Sequence, residues 1–79
     1  MKPLEAKLIL LQTSLTYKRK QDPKLEELEE LLPRLQIAAK VFTENKTFGK
    51  FKDALAETLY MQALILTSIC HKQINPLRE

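Results

Sequence analysis

Residues 22–42 read DPKLEELEELLPRLQIAAKVF, and the rhythm of this stretch decides the fold. Leu25, Leu28, Leu32, Leu35, Ala39 and Phe42 recur at spacings of 3, 4, 3, 4 and 3. With 3.6 residues per helical turn, such a series stays on one side of an α-helix and forms a heptad-type seam. Asp22-Pro23 supplies the start, an N-cap oxygen followed by proline in the first turn, so a helix is expected over about 23–45. Pro33 removes the hydrogen bond to the Glu29 carbonyl and costs on the order of 3 kcal/mol in a regular helix. The seam keeps its phase through Pro33, which favours one kinked helix over two short ones. Leu28-Glu29-Glu30-Leu31-Leu32 also matches the LxxLL docking pattern, but a leucine-rich amphipathic helix produces that match by chance, and the core reading is preferred.

Toward the N-terminus, Leu4, Leu8, Leu11 and Leu15 repeat at 4, 3 and 4. They predict a helix over about 3–20 with this leucine stripe turned to the core. Pro3 suits its first turn, and Lys18, Arg19 and Lys20 suit its last, where cations meet the negative end of the helix dipole.

Toward the C-terminus, Asn45-Lys46-Thr47 reads as a short connection with Thr47 as N-cap. A last helix is expected over about 48–74, stopped by Asn75-Pro76. From Ala54 to Cys70 the only charge is Glu57, and Thr58–Cys70 is a run of 13 uncharged residues. A helix that is apolar all round has to be covered all round, and two neighbours cover only part of it. If Phe51, Leu55, Leu59 and Leu66 face inward, Met61, Leu64 and Ile65 become the candidate protein interface.

Together these readings predict an all-α fold: residues 1–79 as a single domain, an antiparallel three-helix bundle or helical hairpin with a long, very hydrophobic C-terminal helix. Within that helix, Ala56-x3-Tyr60-x2-Ala63-Leu64 resembles the second helix of a tetratricopeptide repeat. The resemblance implies a helix-pair repeat that packs small residues against large ones. It spans about nine residues, the upstream Trp-Leu-Gly part is absent, and no second copy follows. Ordinary small-to-large helix packing accounts for the same pattern.

The bulk numbers narrow the function classes. A chain of 79 residues forms a small core, for which oligomerisation is a common supplement. One cysteine, Cys70, and one histidine, His71, exclude an internal disulfide and a zinc site of several Cys and His ligands. A lone cysteine in an apolar segment suits a reducing compartment, so a cytoplasmic location is expected. The apolar run Leu8–Leu11 is too short for a signal peptide, and Thr58–Cys70 falls short of the roughly 18 residues a membrane span requires.

The net charge is +3, but its distribution alternates in sign. Residues 1–20 carry five basic groups and one acidic, residues 21–44 three and six, residues 45–79 five and three. Neighbouring segments thus answer part of each other's charge, which weakens a nucleic-acid reading. Lys18, Arg19 and Lys20 with Lys46 and Lys50 remain the candidate basic patch for phosphates. No aromatic residues are interleaved among them for base stacking.

Cys70-His71 is the one adjacent nucleophile–base pair, and neighbours on a helix diverge by about 100°. Nothing is placed to orient them or to form an oxyanion hole, so no enzyme, cofactor or small-molecule substrate is expected. The leading expectation is a small helical interaction module, such as an adaptor, chaperone or regulatory subunit. It would act on a protein partner or as a homo-oligomer. The alternative is a small basic regulator associated with nucleic acid.

Overall fold

The computed structural model, which describes residues 1–44 and 48–78, is all helical: α1 (Pro3–Arg19), α2 (Leu25–Glu44), a short 3-10 turn over Phe48–Phe51 and α3 (Lys52–Arg78). No strand occurs among the described residues. Pro3 sits in the first turn of α1, where its missing N–H removes no bond, and the Ala6 amide donates to the Lys2 carbonyl at 3.2 Å.

The start of α2 differs from the expected Asp22 cap. The helix opens at Leu25, and the carboxylate of Glu27 accepts from the Lys24 backbone N–H at 3.2 Å, the acidic half of a capping box. Asp22 instead pairs with Lys72 of α3. Pro33 lies on the exposed side of a helix that is continuous from Leu25 to Glu44, as the unbroken seam implied. The expected connection Asn45-Lys46-Thr47 and its cap lie outside the described residues. At the far end α3 runs on through Asn75-Pro76 to Arg78, past the predicted stop. Proline so near a helix end forgoes a single backbone bond, and a helix can absorb that loss in its last turns.

α2 packs along both other helices, whereas α1 and α3 touch only sparsely. The paired ends fix the directions. Lys20 pairs with Glu27 and Lys72 with Asp22 at one end, while Phe42 stacks on Phe51 at 5.8 Å between ring centroids at the other. α2 therefore runs against both neighbours.

The core consists of Ala6 and Leu10 from α1, Leu28, Leu31, Leu35, Ala38 and Phe42 from α2, and Met61, Ile65 and Ile69 from α3. Burying one such large side chain stabilises the fold by about 1.5–3 kcal/mol. Leu28, Leu35 and Phe42 stand where the seam placed them. Leu31 and Ala38 are buried, whereas the seam members Leu32 and Ala39 are only partly so. A helix packed on two sides buries a stripe wider than a two-stranded seam, and one residue of rotation costs little.

Two expectations are corrected. Leu8, Leu11 and Leu15 are not core: the face α1 turns inward is Ala6, Leu10, Thr13 and Ser14. Leu59 and Leu66 are likewise exposed, while Phe51 and Leu55 are partly buried. The C-terminal helix is therefore not apolar all round. Its buried side is Thr58, Met61, Ile65 and Ile69, and its other sides mix Asp53, Glu57, Thr67 and His71 with Leu59, Tyr60 and Leu66. Cys70, expected to pack as a small hydrophobe, is exposed.

Candidate interaction surface

α1 carries two seams of the same spacing. Leu4, Leu8, Leu11 and Leu15 form one, and Ala6, Leu10, Thr13 and Tyr17 the other, each at 4, 3 and 4. The two lie on nearly opposite sides, because a shift of two residues turns a helix by about 200°. The second seam is the one that faces inward. Its small members, Ala6 at 0% and Thr13 at 2% exposure, bring α1 close to α2. Its last member reaches α3, where the Tyr17 hydroxyl meets the Ser68 hydroxyl at 2.7 Å.

The cost of this choice is visible in the side chains. Thr13 Oγ1 and Ser14 Oγ are buried with no hydrogen-bond partner among the described residues, at about 1–3 kcal/mol for each such group. Meanwhile Leu4, Leu8, Leu11 and Leu15 remain 70, 51, 55 and 42% exposed. They form a leucine ridge along the outer side of α1. A ridge of this length exposes a few hundred Å² of apolar surface, the size at which patches mark interaction sites.

Because α1 and α3 barely touch, a groove of about 380 Å³ opens between them. Its α1 side is Lys7, Leu10, Leu11, Ser14, Leu15 and Lys18, and its α3 side is Asp53, Ala54 and Glu57. Leu11 and Leu15 belong to both ridge and groove, so the two form one continuous surface. Lys7 also lies over the Phe51 ring, 5.1 Å from its centroid.

The residues singled out in the sequence fall elsewhere. Met61 and Ile65 are 2% and 0% exposed, inside the core, and Leu64 is packed against it. Of the expected interface, Met61 and Ile65 therefore lie in the interior, while Leu64 is only partly buried. The helix is rotated so that Leu59, Tyr60 and Leu66 take the outward positions.

The candidate basic residues do not come together. Lys18, Arg19 and Lys20 end α1, and Lys20 is engaged by Glu27. Lys50 lies in the turn at the opposite end of α2, a helix about 30 Å long, and Lys46 lies outside the described residues. Among the described residues no group of three His, Cys, Asp or Glu is arranged to hold a metal, and no helix is long and apolar enough to cross a membrane.

The ridge is legible in the sequence as a periodic leucine stripe, but periodicity does not say which side of a two-faced helix is covered. The pointer to the outcome was Tyr17, a large side chain in phase with Leu10 and with no counterpart in the leucine stripe. No family model, curated protein or solved structure matches this chain.

Proposed function

We propose that this chain is a small, non-catalytic helical module that binds another protein chain through the outer face of α1. The observation that carries the reading is the inversion of that helix. Its leucines, Leu4, Leu8, Leu11 and Leu15, are turned to solvent while the hydroxyls of Thr13 and Ser14 are buried without a partner among the described residues. Polar groups inside and leucines outside lower the stability of an isolated domain. Covering the ridge with a partner recovers apolar burial that a small core lacks. The groove beside the ridge extends the same surface toward α3.

The comparison that tests this is native affinity capture with the wild type and with the double variant L8E/L11E. The wild type is expected to retain a chain at defined stoichiometry, whether a different protein or a further copy of itself. The variant should lose that chain while keeping its helical circular dichroism. Equal retention by the two would overturn the ridge as the binding face.

A further inference from the structure

We propose that the groove between α1 and α3 binds a single-chain carboxylate amphiphile, a free fatty acid of medium length, with its head on Lys18 and Ser14. The two ends of the groove differ in charge. Tyr17 and Ser68 meet at 2.7 Å, and α1 and α3 run in the same direction, both against α2. Glu57 precedes Ser68 by eleven residues, and Ala6 precedes Tyr17 by the same number. At 1.5 Å per residue both counts come to about 16 Å, which puts Glu57 level with Lys7 and Asp53 below it. The position of Lys7 over the Phe51 ring, 5.1 Å from its centroid, agrees. Lys7, Asp53 and Glu57 thus share one end of the groove, where opposite charges offset one another. Lys18 stands alone at the other.

Lys18 has a second donor beside it. Ser14 lies one turn earlier on the same side of α1 and also lines the groove. Helical side chains lean toward the N-terminus, which carries the Lys18 ammonium over the turn of Ser14. Ser14 is 5% exposed, and its hydroxyl has no partner among the described residues. Nor does Lys18 form an ion pair among them, whereas Lys20, Lys40 and Lys72 each meet a carboxylate. Rotation about one bond turns the Ser14 hydroxyl toward the groove. An ammonium and a hydroxyl a turn apart are two donors for the two oxygens of a carboxylate, a group that only accepts. Asp53 and Glu57 repel the same head from the opposite end, which fixes its orientation.

The rest of the groove is apolar and narrow. Leu10, Leu11 and Leu15 line it on α1, and Ala54 on α3. A volume of about 380 Å³ drawn out over about 16 Å is on the order of 5 Å wide, against about 10 Å for a helix with its side chains. It admits one extended chain and excludes a helix. An alkyl tail running from Lys18 toward Ala54 covers Leu10 and the groove side of Leu11 and Leu15, and its transfer out of water supplies the affinity. Leu4 and Leu8 of the ridge lie outside the groove.

The test is calorimetric titration of the full chain, with helicity followed by circular dichroism. One titrant is sodium dodecanoate below its micelle-forming concentration; the other is dodecyltrimethylammonium, the same tail under a cationic head. Dodecanoate should saturate at one per chain and bind about tenfold or more tighter than the cation. Lys18→Glu should weaken dodecanoate about tenfold or more and Ser14→Ala about threefold or more, both with helicity kept. Leu8→Glu, on the ridge outside the groove, should leave the titration unchanged. Dodecanoate that does not bind, never saturates, or binds no tighter than the cation overturns the proposal. Binding indifferent to either Lys18→Glu or Ser14→Ala overturns it as well, and binding lost in Leu8→Glu would move the tail onto the ridge. The capture experiment decides the ridge separately.

Discussion

The hydroxyl of Tyr17 on α1 lies 2.7 Å from the hydroxyl of Ser68 on α3, a link between two helices that otherwise scarcely meet. Tyr17→Phe keeps the ring and removes this bond, leaving the Ser68 hydroxyl unmatched in a partly buried position. A loss of about 1 kcal/mol is expected in urea or guanidinium denaturation. No change in midpoint would show that water satisfies Ser68 equally well.

The two faces of α1 should respond oppositely to substitution. Leu10 is 7% exposed and Leu11 55%, although they are neighbours in the chain. Leu10→Ala should cost about 2–5 kcal/mol, whereas Leu11→Ala, measured at a concentration where the protein is monomeric, should cost well under 1 kcal/mol. The reverse ranking would place the leucine stripe in the core after all.

Thr13 buries a hydroxyl that has no partner among the described residues. Thr13→Val keeps the branched shape and replaces the hydroxyl by a methyl group, so the fold should gain about 1 kcal/mol or more. An equilibrium denaturation curve shifted to lower midpoint would mean that an ordered water serves that oxygen.

Pro33 is exposed within a continuous helix. Pro33→Ala restores a donor for the Glu29 carbonyl and removes the ring's clash with it, without touching the core. Stability should rise, by up to about 3 kcal/mol. A loss on thermal melting would show that a bend at this residue shapes the packing around it.

On α3 the contrast is between Ile65 and Leu59. Ile65 is fully buried, so Ile65→Ala should cost about 2–5 kcal/mol, while Leu59→Ala, at 51% exposure, should cost far less. Comparable losses at the two sites would restore the wholly apolar reading of this helix.

The all-helical class and the unbroken passage through Pro33 could be read from the chain, because spacing and punctuation are local properties of a helix. Leu28, Leu35 and Phe42 were recognisable as core for the same reason. Which way α1 and α3 turn was not recognisable. On α1 the rule of counting apolar residues favoured Leu4, Leu8, Leu11 and Leu15, but close approach to α2 favoured the smaller Ala6 and Thr13. On α3 the uncharged run hid the phase, since Leu59 and Ile65 look alike until a neighbour is in place. The groove was invisible for a different reason. Lys7, Lys18, Asp53 and Glu57 are far apart in the chain and are assembled only by two helices that lie on a common third.

That arrangement has a consequence for the order in which the molecule opens. α2 shares a packed face with each neighbour, but α1 is held almost entirely by α2. Detaching α1 breaks one helix–helix face and leaves α2 paired with α3, whereas removing α2 breaks both. Its hold is weakened further by the buried oxygens of Thr13 and Ser14, which have no partner among the described residues. The amides of α1 should therefore exchange with solvent as an early-opening unit, and those around Leu35 and Ile65 only on global unfolding. The helix that carries the leucine ridge is then also the one the domain releases most cheaply, so the exposed leucines sit on the part of the fold that opens first.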